Sequence, residues 1–482
     1  MTLRDRFPCS RRAVLTAAAA ALPLAATAAS TADRAAREGG PAARYFPRHG
    51  SYGHRTLAYD LRLAYDPGSA WLDGHATIKA VANENTRRVE LDLARLTVHA
   101  AEIDGEPATV QRRDGKAVLT AARPLAPGQP FTADVRYSGS PAPVRTPFGA
   151  IGWDRTGDGH DGTLVASQPL GAPSWFPCND RPDDKAAYTV TVRVPAGHHA
   201  LANGTLRERR DLDDGSVSWT YHHPGPMASY LAAVYTGRFA HDTYDTESSG
   251  SPVPLRNAYP AHLADRARHD LARQPQMLRA FTDMFGPYPF ETYGAVVVDA
   301  ELAAPVENQT LSVFGSNHMD GKRGWETLVA HEIAHQWYGN SVSLTDWRHI
   351  WLNEGFATYA EWLWSEHIDE DDAHTLAVQA RRELSGHRQN LRIGDPGRSR
   401  IFDDRVYVRG ACTLHALRLA LGDERFFTVL RTWHAAHRGG SADTDAFVAH
   451  AERTAGRPLT GLLRPWLFDR TLPEFPARTA GA

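Results

Sequence analysis

Lysine is nearly absent from this chain of 482 residues. Of its 53 basic residues only four are Lys, at positions 79, 116, 185 and 322; the other 49 are Arg. A GC-rich coding sequence accounts for the bias, and nothing clusters the arginines into a guanidinium recognition surface. Cysteine is scarce too, with only Cys9, Cys178 and Cys412, which excludes a disulfide framework. The formal charge of −3 lacks the basic surplus of a dedicated nucleic-acid binder. Long apolar runs are also missing. The stretch from Ala13 to Ala29 has 17 residues and is interrupted by Pro23, short of the roughly 20 that span a bilayer. What remains is ordinary globular usage, 42% hydrophobic and 23% charged. The length allows about two to four domains.

The N-terminus reads as an address. Ser10-Arg11-Arg12 precedes the mild apolar run, and Ala26-Thr27-Ala28 offers a small-residue cleavage site. Paired arginines before such a run resemble a bacterial twin-arginine export signal over 1–28; an uncleaved anchor is the alternative. Segment 1–28 holds Arg4, Arg6, Arg11 and Arg12 against Asp5, so its removal takes the net charge from −3 to −6. The expected product is exported, to the cell envelope or the medium, with no stable membrane insertion. Cys9 leaves with the signal, and Cys178 and Cys412 form either one bridge or two buried thiols.

Residues 29–44 are rich in Ala, Arg and Gly and read as a flexible leader. From Tyr45 the chain alternates with a two-residue period, as in Leu57, Tyr59, Leu61, Leu63 and Tyr65, and again in Tyr188, Val190, Val192 and Val194. Turn signals such as Asp66-Pro67-Gly68 punctuate these runs, as in an antiparallel sheet or sandwich. After about Pro260 helical spacing takes over, at Ala261–Met284, Gly321–Tyr338, Glu354–Ile368, Ala373–Leu384, Val408–Leu421 and Glu424–Ala436. One apolar strand, Ala295–Val298, interrupts it. The expected architecture is α+β and multidomain: an antiparallel β domain over 45–245, then a mostly helical domain over 246–482.

The chemistry is concentrated in His331-Glu332-Ile333-Ala334-His335. Residues i and i+4 share a helix face, so both imidazoles reach one ion. Glu332 falls beside that ion, where a carboxylate can take a proton from a water. Catalytic zinc takes three protein ligands and keeps one position for water. Eighteen residues lie between His335 and Glu354. They contain a helix end at Gly339-Asn340 and a new start near Asn353, so the second helix can return Glu354 to the ion. Glu354 sits among Trp351, Leu352 and Phe356, and a carboxylate buried there needs a cation. The expected site holds one Zn2+ on His331, His335 and Glu354. Glu361, seven residues on, is either a hydrogen-bond acceptor for a ligand histidine or a solvated helix residue.

The runs HEIAHQWYGN and WLNEGFATYAE resemble the gluzincin metallopeptidases of family M1, the aminopeptidase N-like enzymes. Phe285-Gly286-Pro287-Tyr288-Pro289-Phe290 and Trp175-Phe176-Pro177-Cys178-Asn179-Asp180, with Lys185-Ala186 after it, resemble further motifs of that family. The likeness spans about residues 45 to 475 and implies a thermolysin-like catalytic domain. It also implies roles. Ala304-Pro305-Val306-Glu307-Asn308 matches the family's G-x-M-E-N, so Glu307 is expected to pair with a peptide's free α-ammonium. Gln168, in Ser167-Gln168-Pro169, matches a second amine-binding position; as a neutral amide it accepts a hydrogen bond without adding charge. Val406-Tyr407-Val408-Arg409-Gly410-Ala411 resembles the Y-x-K-G-A motif, which makes Tyr407 the oxyanion donor and puts Arg409 in place of Lys.

The function that the resemblance implies is a zinc aminopeptidase that removes the N-terminal residue of peptides, with Glu332 as general base. Its partners are peptide substrates, not nucleic acids. A thermolysin-like endopeptidase and a non-catalytic peptide-binding protein on the same scaffold are the rival readings. Longer relatives add a helical domain over the cleft, and its absence here implies a more open site.

Overall fold

The computed structural model describes residues 45–156 and 161–478, so the expected signal and leader segments lie outside the described residues. A β-rich half precedes a mostly helical half, as the change of period implied. The largest sheet has eight strands, in the order Thr205–Asp211, Val217–Ala228, Lys185–Val194, His54–Asp66, Trp71–Ala82, Pro130–Gly139, Thr97–Ile103 and Glu106–Pro107. Its neighbours are antiparallel except for one parallel pair, His54–Asp66 with Lys185–Val194. Five- and three-stranded sheets complete this half.

The alternating residues lie where their period puts them. Tyr59, Leu61, Leu63 and Tyr65 are buried, as are Tyr188, Val190, Val192 and Val194 from the neighbouring strand. The rings of Tyr59 and Tyr188 stack at 4.9 Å. Leu57 departs from the expected run and is 39% exposed. The ladder register shifts between Thr56 and Ala58. An extra residue at such a bulge changes which face the preceding residues present.

The helices are α1 (Ala264–Leu271), α2 (Gln274–Phe285), α3 (Glu326–Ala334), α4 (Trp351–His367), α5 (Ala373–Ser385), α6 (Asp404–Leu421), α7 (Asp423–His437), α8 (Thr444–Ala455) and α9 (Thr460–Phe468). The expected helix Ala261–Met284 is two, because Pro275 starts a new helix in the first turn of α2. The expected Gly321–Tyr338 shrinks to α3, and α4 begins three residues ahead of Glu354. The strand expected at Ala295–Val298 is part of Tyr293–Val298, a fully buried member of a four-stranded mixed sheet. Its partners Leu255–Pro260 and Ser312–Gly315 lack a two-residue polar alternation because they too are largely buried. The fourth strand, Phe239–Tyr244, pairs with Leu255–Pro260 although it precedes the expected boundary at 245. The sheet of the second half therefore begins before that boundary.

Two glycines set the position of the site. A Cβ on Gly355 would lie 2.7 Å from the Cα of Gly410, closer than any side chain tolerates. This contact lets α4 and α6 cross with their backbones nearly touching. Glu354 and Tyr407 stand one and three residues from this crossing. Cys178 and Cys412 are both buried free thiols. Among the described residues no helix is long and apolar enough to cross a membrane.

Candidate active site

Helix α3 presents His331, and its C-cap residue His335 follows on the same face, with ring centroids 4.7 Å apart. The first turn of α4 brings Glu354 to them. Its Oε2 is 3.6 Å from His331 Nε2 and 3.4 Å from His335 Nε2. A tetrahedral ion with bonds of about 2.0–2.1 Å holds its ligands about 3.3–3.4 Å apart, so these atoms are spaced to share one. The remaining nitrogens are fixed from behind. His331 Nδ1 is 2.7 Å from Glu361 Oε1, and His335 Nδ1 is 3.1 Å from the carbonyl of Tyr338. Acceptors there keep the ring proton on Nδ1 and turn each Nε2 lone pair inward. Of the two readings of Glu361, the hydrogen-bond acceptor is the one the geometry shows.

Burial opposes charge on every member of this cluster. Despite it, the imidazoles of His331 and His335 hold the Glu354 carboxyl below the usual carboxylate range. Likewise Glu354 and Glu361 outweigh burial and push His331 upward. The cluster thus favours a positive charge between the two Nε2 atoms and the carboxylate. A divalent cation fits that demand, and two imidazoles with one carboxylate form a zinc donor set. Among the described residues, His331, His335 and Glu354 form the only such group.

Glu332 is 2% exposed, and its Oε2 has no hydrogen-bond partner within the protein. Burial first, and then the nearby Glu307 and Glu354, push its carboxyl upward, against the pull of the two imidazoles. A buried carboxyl pushed upward in this way is a mark of functional sites. The ring of Tyr407 lies nearly parallel to that of His331, with centroids 6.3 Å apart. Its neighbour Arg409 points away from the site. The guanidinium donates to the carbonyls of Trp466 (2.6 Å), Asp469 (2.8 Å) and Pro465 (2.9 Å), at the C-terminal end of α9. A helix C-terminus presents unpaired carbonyls and partial negative charge, which suits a fork of donors.

Glu307 and Gln168 meet although they come from the two different halves: the Gln168 amide donates to a Glu307 carboxylate oxygen. Glu307 is 2% exposed. Its charge raises both Glu332 and His335, and its backbone carbonyl lies 3.4 Å from Nε2 of Gln336, the residue after His335. Val306 exchanges both backbone hydrogen bonds with Val313, at 3.0 and 2.9 Å. Pro305, which lacks an N–H, stands outside that pair and leaves it intact. Sequence reasoning missed what anchors this segment. Asn340 Nδ2 donates to the carbonyl of Glu307 at 2.6 Å, and Gln336 Nε2 reaches it at 3.4 Å. Both amides stand in the HEIAHQWYGN run. The available signal was an amide four residues after Glu332, on the helix face that carries it.

Comparison with known proteins points to one family. Residues 269–466 match the Peptidase family M1 domain, and residues 55–231 match the Peptidase M1 N-terminal domain. The crystal structure of an M1 zinc metallopeptidase from Deinococcus radiodurans superposes with a TM-score of 0.83 and 32% identity, covering 91% of this chain and 98% of that one. A mutant of that protein bound to a Tyr-Ser-Ala substrate superposes with the same score over 89% of this chain and 98% of that one. Aminopeptidase M1 of Arabidopsis thaliana is 25% identical over 462 residues, 87% of this chain and 51% of that protein. The chain spans about half the length of the curated relatives it matches.

Proposed function

The chain belongs to peptidase family M1, and on that premise we propose that it is a zinc-dependent aminopeptidase holding a single catalytic ion. The observation that carries this reading is Glu307. It is a buried carboxylate next to the metal ligands, and among the described residues no Lys or Arg pairs with it. A buried carboxylate without a counter-ion is costly, and the α-ammonium of a peptide N-terminus supplies one. An endopeptidase has no use for such a group at that position.

His331, His335 and Glu354 would hold the ion, and Glu361 fixes the tautomer of His331. Bound there, Zn2+ would supply Lewis acidity to the scissile carbonyl and to a water. Glu307, oriented by the Gln168 amide, holds the free amine and so sets the first peptide bond over the site. Glu332 takes the proton of the attacking water on its unpartnered Oε2 and gives it to the leaving amine. The Tyr407 hydroxyl donates to the developing oxyanion. Export through the twin-arginine route is part of the same reading and rests on Arg11-Arg12 and the apolar run after them. Fractionation of the producing cell, with Arg11→Lys/Arg12→Lys as the comparison, tests it.

The deciding assay compares aminoacyl substrates with free and N-acetylated amines, with and without chelator. Loss of activity on acetylation and on chelation is the expected result. Equal rates on free and acetylated substrates would return the endopeptidase reading. Full activity in excess chelator would overturn the metal mechanism.

A further inference from the structure

Lys185 is one of only four lysines in a chain that otherwise uses Arg, and its surroundings explain what an ammonium does there that a plain surface charge would not. It opens the strand Lys185–Val194 in the large sheet of the N-terminal half. From there its Nζ reaches across to the second half. It lies 2.9 Å from the carbonyl of Asn340, 2.9 Å from that of Ser341 and 3.2 Å from that of Gly440. Three protons meet three carbonyl oxygens, and among the described residues no carboxylate pairs with this lysine. Burial alone pulls the ammonium down to about 7. The three carbonyls act the other way, because only the charged form has three protons to give.

The segment that Lys185 grips continues the metal-binding helix. Asn340 N donates to the carbonyl of the ligand His335 at 3.0 Å, and Ser341 N to that of Gln336 at 3.1 Å. From the same segment, Asn340 Nδ2 donates to the carbonyl of Glu307 at 2.6 Å. Gly440 belongs to the turn that ties this region to the end of α7, where Gly439 N donates to Ser341 O at 2.9 Å and Ser343 N to Gly440 O at 3.0 Å. One ammonium from the N-terminal half therefore holds a loop whose one end is a metal ligand and whose side chain clamps the amine-binding residue.

We propose that Lys185 is a positioning residue for amine recognition: it locks the Asn340–Ser341 loop, and through the Asn340 amide it sets the distance between Glu307 and the metal ligands. The proposal rests on the aminopeptidase reading for its effect on substrates, and on structure alone for its effect on the loop. The lock acts on binding of the free amine rather than on the chemical step, because neither Glu332 nor Tyr407 is among its contacts.

The test uses the full chain loaded with zinc. Lys185→Met keeps the length of the stem and removes all three donors. It is expected to raise KM for a free-amine aminoacyl substrate about tenfold with kcat within about twofold, the signature of lost substrate binding without lost chemistry. Bound zinc stays at the wild-type level. Amide hydrogen exchange over residues 307–313 and 336–342 accelerates. Asn340→Leu, which leaves the lysine in place, produces the same KM-selective defect, and the double variant is no worse than either single one, because both cut one chain of contacts. Lys185→Arg restores part of the effect, since Arg409 shows a guanidinium filling a carbonyl cage in this protein. If Lys185→Met misfolds, Asn340→Leu and Lys185→Arg carry the test. Unchanged exchange at both segments in a folded variant would overturn the proposal, as would parallel losses of kcat and of zinc. Should the wild-type protein cleave acetylated and free substrates alike, the aminopeptidase reading fails, and the exchange measurement alone then decides whether Lys185 locks the loop.

Discussion

The three-ligand side of the site and the Glu307–Gln168 side, proposed to hold the amine, are built in opposite ways. His331, His335 and Glu354 lie within one stretch of chain and on two helices that follow each other. Gln168 and Glu307 are separated by 139 positions, sit in different halves and touch only because the halves pack together. A metal site tolerates local construction because helical spacing alone puts two imidazoles on one face. As the proposed amine site, this pair must keep its distance from the metal ligands, which takes a frame outside the metal helices. Here the N-terminal half supplies it, through Gln168 on one flank and through Asn203, which donates to the carbonyl of Gln309 at 2.6 Å, on the other.

That contrast can be broken most severely from the metal side. Glu332→Gln is expected to lower kcat by about 10³-fold with zinc content unchanged, since a positioned general base contributes roughly 10²–10⁴-fold. Single-turnover rates alongside metal analysis check it, and a variant with near wild-type turnover would remove Glu332 from the mechanism. Tyr407→Phe is expected to cost about 10²-fold in kcat with little change in KM, as loss of an oxyanion donor does.

The amine side should fail differently. Glu307→Gln keeps the shape and removes the charge, so it is expected to raise KM for free-amine substrates by about 10–100-fold, the worth of one charge-assisted hydrogen bond. Rates on N-acetylated substrates stay as they were. A loss shared equally by both substrate types would erase the distinction between the two sides. The smallest effect sharpens the comparison within the metal side itself. Glu361→Gln leaves all three ligands in place and is expected to weaken zinc binding by about tenfold, the low end for a residue that orients a ligand histidine. Competition with a chromogenic chelator measures it.

Much of the fold could be read in the chain because it rests on local period. The strands carrying Tyr59 to Tyr65 and Tyr188 to Val194 alternate as written, and most of the expected helices form. The errors have physical causes. Leu57 faces solvent because of a bulge, which leaves no mark on an apolar alternation. Of the four-stranded sheet in the second half only Tyr293–Val298 reads as a strand, because it is an unbroken buried run; Leu255–Pro260 carries Arg256 and Asn257, Ser312–Gly315 is very short, and Phe239–Tyr244 is mostly exposed or half-buried. Helices α8 and α9 are not among the expected ones, although Asp443 caps the first with its side chain; α9 has only 9 residues and carries an internal proline.

The sequence by itself determined the cluster of His331, His335 and Glu354, the buried carboxylate of Glu332 beside it and the peptidase family, because the spacing of those residues is a property of one helix and the return of the next. It also singled out Glu307, Gln168 and Tyr407 as parts of one site, through their family motifs. Tertiary structure alone decided how those parts are held at working distance. Gly355 against Gly410 lets two helices meet, the Gln168 amide meets Glu307 across the two halves, and Lys185 pins the loop between them. Each is a contact between residues far apart in the chain, where no period or spacing operates and only packing specifies which groups become neighbours.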